Sequence, residues 1–258
     1  MSLDPELVPS PVRAWLPAEF DFEAPRQGQT SAVAFVTTAP VVVKRTQGAL
    51  YTSWLEQEHN ALVALADSDL PLPEALGLHI EPNDCGGEGW LVMSRLPGEP
   101  MTELVTRART TEARAELYRR LGTLAARVHT AAIPSALRPD DPRPWVERVL
   151  ERVREVRRRW ARRLTARLDE DGTNEALQTL IHGDLTIDNV LGTADEITGI
   201  IDWGGAGPGD PRWDVTLALS PHNGTLLAPS VVAAFFEGYG SHRLPNDLRA
   251  FLEDAYDL

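Results

Sequence analysis

The chain has 258 residues, 43% hydrophobic and 24% charged, with a net charge of −13. That is ordinary globular composition, long enough for one large domain or two small lobes with a real core. The acidic balance argues against a nucleic-acid partner, which calls for a basic face, and suits a cationic or neutral small molecule.

The one cysteine, Cys85, sits in the loop-like NDCGGEG. A lone thiol excludes an internal disulfide scaffold and a cysteine zinc cluster, and makes a reducing cytoplasm the expected compartment. MSLDPELVPSPVRAWLPAEF lacks the basic start and apolar core of a signal peptide, and no apolar run nears the roughly 18 residues that span a bilayer, so no membrane partner is expected.

Two charge anomalies stand out. Between Arg143 and Arg167 lie ten arginines and three glutamates, a local net of +7 against −20 elsewhere. The chain also has 24 arginines but a single lysine, Lys44, directly after three valines in PVVVKRT. A compact ammonium on a flexible stem does what a guanidinium does not in every site, which marks Lys44 as a candidate functional group.

In chain order, PRQGQTS reads as a Gly-bearing turn. Ser31 to Val36 and Val41 to Lys44, separated by TTAP, read as a hairpin. Thr52 to Ala66 reads as a helix on which Leu55, Glu58, Leu62 and Leu65 share one face. Glu58 therefore belongs to the buried stripe and requires a cation or donors, while Glu56 points elsewhere. Trp90 to Met93 reads as a short strand ending at Pro97 and Gly98, where a lobe boundary is expected. Thr111 to His129 reads as a helix with Leu117, Leu121, Leu124 and Val128 on one stripe. Pro142 to Leu168, the arginine-rich stretch, reads as a solvated helix knit by pairs such as Glu151 with Arg154.

From Leu180 the pattern changes. TLI is strand-like, HGDLTIDN loop-like, and VLGT and ITGIID read as two strands around an acidic turn. GGAGPGDPRWD reads as a loop closing at Asp214, the expected N-cap of VTLALS. Val231 to Phe236 and Leu248 to Tyr256 read as final helices. β-rich first and helical later, the order defines an α+β chain of two lobes, 1–95 and 96–258.

Asp184 and Asn189 lie on the loop HGDLTIDN, and Asp202 ends the next hairpin, followed by Trp203 and Gly204. Aspartate and asparagine oxygens are hard ligands suited to Mg²⁺, and a separate aspartate can take the proton of an attacking hydroxyl. That is a kit for phosphoryl transfer from a nucleotide, where catalysis is mostly positioning and charge neutralisation.

On these motifs the chain resembles the protein-kinase-like superfamily and, within it, the aminoglycoside phosphotransferase family. The kinase catalytic loop is His-Arg-Asp with a downstream Asn, and the metal motif is Asp-Phe-Gly. HGDLTIDN carries Gly183 where protein kinases carry Arg, and Asp202-Trp203-Gly204 stands in the place of Asp-Phe-Gly. GDPRWD, Gly209 to Asp214, resembles the tail of the family signature. RQGQTSAV has one glycine and is no Gly-rich loop, and GGAGPGDP leaves no activation segment as a platform for a protein substrate.

The resemblance implies a two-lobed protein-kinase-like fold, a small β-rich nucleotide-binding lobe and a larger, mainly helical catalytic and substrate lobe. It implies Asp184 as catalytic base, with Asn189 and Asp202 as ligands of Mg²⁺ bound with ATP or GTP. Lys44 would reach the α- and β-phosphates with Glu58 as its ion-pair partner. Gln29, Thr30 and Ser31 would form the turn over the phosphates, and backbone groups of Ser94 and Leu96 would meet the purine. His182, Asp210 and Asp214 are expected to be structural, as loop braces and caps, and Asp188 a solvated loop acid.

The same resemblance implies a cytoplasmic, monomeric enzyme that phosphorylates a hydroxyl of a small molecule. The C-terminal FLEDAYDL, with Glu253, Asp254 and Asp257, favours a cationic aminoglycoside; the arginine-rich segment pulls toward a macrolide or another less charged acceptor. A metabolic kinase for choline, homoserine or a sugar, and a nucleotide-binding pseudokinase, are the alternatives. Retention of Lys44, Glu58, Asp184, Asn189 and Asp202 argues against the pseudokinase.

Overall fold

A computed structural model describes residues 3–24, 31–83, 86–138, 178–220 and 227–240. Cys85, Gln29, Thr30, the arginine-rich segment 143–167, the expected helix 248–256 and the C-terminal acids lie outside the described residues. The chain divides into two compact units, Met1–Pro97 with Gly199–Gly204, and Gly98–Thr198 with Gly205–Leu258. Among the described residues no helix is long and apolar enough to cross a membrane.

In the first unit a short helix α1 (Ser10–Arg13) precedes strands β1 (Phe22–Glu23), β2 (Ala32–Val36) and β3 (Val41–Gln47). Helix α2 (Ala49–Ala64) and strands β4 (Ala75–Glu81) and β5 (Glu88–Ser94) follow. The five strands form one antiparallel sheet in the order β1-β2-β3-β5-β4. Successive side chains of a strand point to opposite faces. On β3, Val41 and Val43 therefore join Val12, Val36, Trp90 and Val92 in an apolar core on one face. Val42, Lys44 and Thr46 point the other way, and α2 packs against β3, β4 and β5. The expected stripe of α2 is the buried one: Leu55, Glu58, Leu62 and Leu65 are buried and Glu56 is exposed. The helix begins at Ala49, three residues before the expected start.

The second unit opens with β6 (Glu99–Pro100), α3 (Met101–Arg107) and α4 (Thr111–Thr130), then β7 (Thr179–Ile181), β8 (Val190–Gly192) and β9 (Ile197–Ile200). Beyond these come β10 (Gly207–Gly209), α5 (Pro211–Leu219) and α6 (Pro229–Tyr239). The expected hairpin is β8 and β9, joined by a turn in which Thr193 N–H donates to the Glu196 carbonyl. The stripe Leu117, Leu121, Leu124 and Val128 of α4 is buried, as its spacing implies.

The stretch expected as a loop from Gly204 to Asp214 differs. Gly207–Gly209 pairs antiparallel with β7, and α5 starts at Pro211. The N-cap is Asp210, whose carboxylate accepts from Arg212 N–H, so Asp214 falls inside the first turn and is released for another role.

Helices α4 and α6 meet at glycines. A Cβ on Gly122 would sit 2.0 Å from the Phe235 carbonyl oxygen, and one on Gly238 would sit 1.9 Å from that of Arg119. Backbone touches backbone there, and the approach fixes which side chains further along the two helices can bond.

Tyr118 on α4 is fully buried, and its hydroxyl meets no hydrogen-bond partner among the described residues. Burial pushes its ionisation up to about 12. Because the folded value lies above the unfolded one near 10, the titration of Tyr118 leaves stability unchanged well below pH 10 and lowers it as pH rises toward 12. Tyr118→Phe should leave stability at pH 7 equal or higher, since an unbonded buried hydroxyl costs about 1–3 kcal/mol, and should flatten the loss between pH 10 and 12 in urea titrations.

Candidate functional site

The first unit gathers three of the residues singled out in the sequence. Lys44, 7% exposed on the α2-facing side of β3, donates from Nζ to Glu58 Oε1 at 2.7 Å and to Asp202 Oδ1. Glu58 is 6% exposed, so burial removes water from both charges and makes the pairing obligatory. Asp202 is the one non-glycine among the described residues with a left-handed backbone, φ 66°. The conformation costs of order 1 kcal/mol and is held by its surroundings: Trp203, fully buried, donates from Nε1 to the Ile200 carbonyl at 2.9 Å.

At the end of β5, Ser94 N–H donates to the Glu74 carbonyl and Ser94 Oγ accepts from Glu74 N–H. Any backbone contact that Ser94 makes to a purine therefore has to come from its carbonyl. Leu96 is half-buried and lies where a side chain on Gly199 would otherwise fall. Ser31 is half-buried immediately before β2; Thr30 is not described.

The second unit holds the loop His182–Asn189. Asn189, 7% exposed, donates from Nδ2 to the Asp184 carbonyl at 2.8 Å and to Asp184 Oδ2 at 2.9 Å. This orients the exposed Asp184 carboxylate and commits the nitrogen of the amide, so that Oδ1 is the atom of Asn189 suited to a cation. Asp188 is half-buried and accepts from Thr102 Oγ1, so it is tied to the start of α3 and is not the solvated acid expected.

The loop is braced from beneath. His182 is fully buried, and its Nδ1 accepts from Asp184 N–H at 3.2 Å, in keeping with a structural role. Gly183 has φ 82°, a Cβ there would lie 2.3 Å from the Gly205 carbonyl oxygen, and its own carbonyl accepts from Trp213 Nε1. No side chain fits, which is a physical reason for His-Gly-Asp in this chain. Asp214, with no exposure, accepts the N–H of His182 at 2.6 Å and of Gly183 at 2.9 Å. Asp210 caps α5 and takes a bidentate bond from the buried Arg212. Sequence reasoning treated Asp210 and Asp214 as braces and caps but missed Arg212.

Mg²⁺ is implied by the resemblance. Among the described residues no group of three or more His, Cys, Asp or Glu side chains could hold a metal ion. Mg²⁺ is commonly bound through only one or two protein ligands, carboxylate or amide oxygens, plus substrate phosphates and water. Asp202 in the first unit and Asn189 in the second each carry an oxygen of that kind.

Solved structures place the fold in the class of protein-kinase-like phosphotransferases. The APH(2″)-IIa ternary complex with streptomycin and ATP matches with a TM-score of 0.68 at 14% identity, over 98% of this chain and 86% of that one. The GDP and kanamycin complex of APH(2″)-IIIa matches with 0.65 at 17%, over 95% and 84%. Macrolide 2′-phosphotransferase MphH from Brachybacterium faecium matches with 0.63 at 19%, over 95% and 86%. The model of the phosphotransferase enzyme family (APH) matches residues 21–252, and the chain belongs to that family. It is a phosphotransferase with an alcohol group as acceptor. No curated protein matches the sequence.

Removing Glu58 should test the burial argument without reference to turnover. Glu58→Ala should cost about 3 kcal/mol in urea unfolding, the lower end for a broken buried pair because Lys44 keeps Asp202. Glu56→Ala, exposed on the same helix, should stay within about 0.5 kcal/mol.

Proposed function

We propose that the chain transfers the γ-phosphoryl group of ATP or GTP to a hydroxyl of an antibiotic, an aminoglycoside being the favoured acceptor, and so confers resistance. The observation that carries this reading is the set of bonded groups Lys44–Glu58–Asp202 and Asp184–Asn189, in a chain whose family is that of phosphotransferases. Kinase-like relatives in complex with streptomycin, kanamycin and gentamicin support the acceptor class.

In this reading residues 1–95 bind the nucleotide and 96–258 carry catalysis and acceptor binding. Lys44 neutralises charge on the α- and β-phosphates, and Glu58 keeps its ammonium aimed. Thr30 and Ser31 cover the phosphates, and the Ser94 carbonyl and Leu96 N–H meet the purine. Asp202 and Asn189 would hold Mg²⁺, which when bound spreads the negative charge of the phosphate oxygens. Asp184, oriented by Asn189, accepts the proton of the acceptor hydroxyl. That oxygen forms a bond to the γ-phosphorus as the bond to the β-phosphate oxygen breaks, giving a phosphomonoester and a nucleoside diphosphate. The enzyme is a cytoplasmic monomer in this account.

A macrolide acceptor is the second reading. The likeness to the macrolide 2′-phosphotransferase and the ten arginines between Arg143 and Arg167 favour it over a polycation.

A coupled assay of nucleotide consumption over aminoglycosides, macrolides, choline, homoserine and sugars tests both. Turnover with kanamycin-like compounds is expected. Turnover with macrolides alone would select the second reading, and turnover with choline, homoserine or a sugar alone would overturn both. Asp184→Ala should lower kcat by at least about 10²-fold, the scale of general-base catalysis, and leave nucleotide Kd by calorimetry within about twofold. Lys44→Ala should instead weaken nucleotide binding. Near-wild-type kcat in Asp184→Ala would remove the assigned base.

A further inference from the structure

A buried line of polar side chains lies behind the loop and takes no part in the chemistry above. His129, on the last turn of α4, is 7% exposed, with Nε2 at 3.2 Å from Asp214 Oδ2 and Nδ1 at 2.7 Å from the Tyr239 hydroxyl. Tyr239, the last residue of α6, is 3% exposed, and its ring stacks on Phe235 at 5.9 Å. The glycine contact at Gly122 and Gly238 sets α4 and α6 close enough for these two side chains to bond.

The proton positions follow from the donor and acceptor inventory. An ionised Asp214 only accepts, and it already takes two loop N–H groups. Nε2 of His129 must therefore carry a hydrogen. In a neutral ring Nδ1 is then bare, and the Tyr239 hydroxyl is the donor it meets. The opposite tautomer would turn a bare Nε2 toward a buried carboxylate, lone pair against lone pair. Asp214 thus selects the ring form that shares its charge, and the Tyr239 hydroxyl anchors that ring from its other nitrogen.

We propose that Tyr239 is a positioning residue for phosphoryl transfer: by anchoring the ring of His129 it holds the Asp214 carboxylate on the N–H groups of His182 and Gly183, and through them the backbone of Asp184. The proposal rests on Asp184 being the base. Apolar side chains could fill the same space without the desolvation cost of a buried Tyr–His–Asp line, but they could not aim a carboxylate at two amides.

Tyr239→Phe keeps the ring and removes the hydroxyl. Its kcat should fall about three- to tenfold, the range one hydrogen bond controls, with nucleotide KM within about twofold. Hydrogen exchange at His182 and Gly183 N–H should quicken. Phe235→Leu, which loosens the same packing without touching the bonds, should lower Tm while keeping kcat and those exchange rates. In ¹⁵N-histidine spectra, assigned by a His129→Gln variant, wild-type His129 should be protonated at Nε2 with Nδ1 accepting a hydrogen bond, and in Tyr239→Phe the Nδ1 signal should shift while Nε2 stays protonated. A bare Nε2 in the wild type, unchanged exchange in Tyr239→Phe, or the same kcat pattern in both variants would overturn the proposal. Failure of the wild type to phosphorylate any acceptor would instead count against the functional reading, and the spectra and exchange rates would still decide on Tyr239.

Discussion

One buried ammonium group sets the terms for the first unit. Strand alternation sends Val41 and Val43 into an apolar core and turns Lys44 to the opposite face, under α2. A charge in that position is tolerated only with a partner, and the helix supplies Glu58 from its buried stripe. Asp202 adds a second carboxylate from a left-handed backbone position that non-glycine residues rarely adopt. Three charged groups in partly dry surroundings, one held in a strained conformation, are a poor arrangement for stability alone. They suit a site that must meet the larger charge of phosphates.

The second unit uses the same device with the sign reversed. There a buried carboxylate, Asp214, is the organiser, and backbone amides of the loop are its partners. Around it Gly183 admits a close pass of Gly205, Trp213 ties the Gly183 carbonyl, and Arg212 with Asp210 locks the start of α5. The exposed carboxylate of Asp184 thereby sits on a loop held from several sides, with Asn189 fixing its orientation. Rigid support for a small number of polar groups is what positioning in phosphoryl transfer requires.

What could be read from the sequence followed local periodicity. The spacing of Leu55, Glu58, Leu62 and Leu65 identified both the buried face of α2 and the acid on it, and the valines before Lys44 identified its strand. The α+β class and the kinase-like resemblance stand on the observed fold and family. Strand β4 had no counterpart, because Gly77, His79 and the prolines before Ala75 break any alternation. Helix α3 was missed because seven residues give barely two turns of pattern. Asp214 was misplaced as a cap because GPGDPRWD looks like a loop, whereas pairing with β7, distant in sequence, turns part of it into a strand. Gly122 and Gly238 look like ordinary helical glycines, since a backbone contact between helices more than a hundred residues apart leaves no local signature.

Because Lys44 is the only lysine, its ammonium gives one side-chain signal in a ¹⁵N-lysine-labelled sample, and that signal reports directly on the group from which the account begins. The account predicts a protonated, ion-paired resonance that moves on addition of ATP or GTP with Mg²⁺ and is unmoved by an acceptor alone. A Lys44 signal indifferent to saturating nucleotide, or one already showing a freely solvated ammonium, would contradict it.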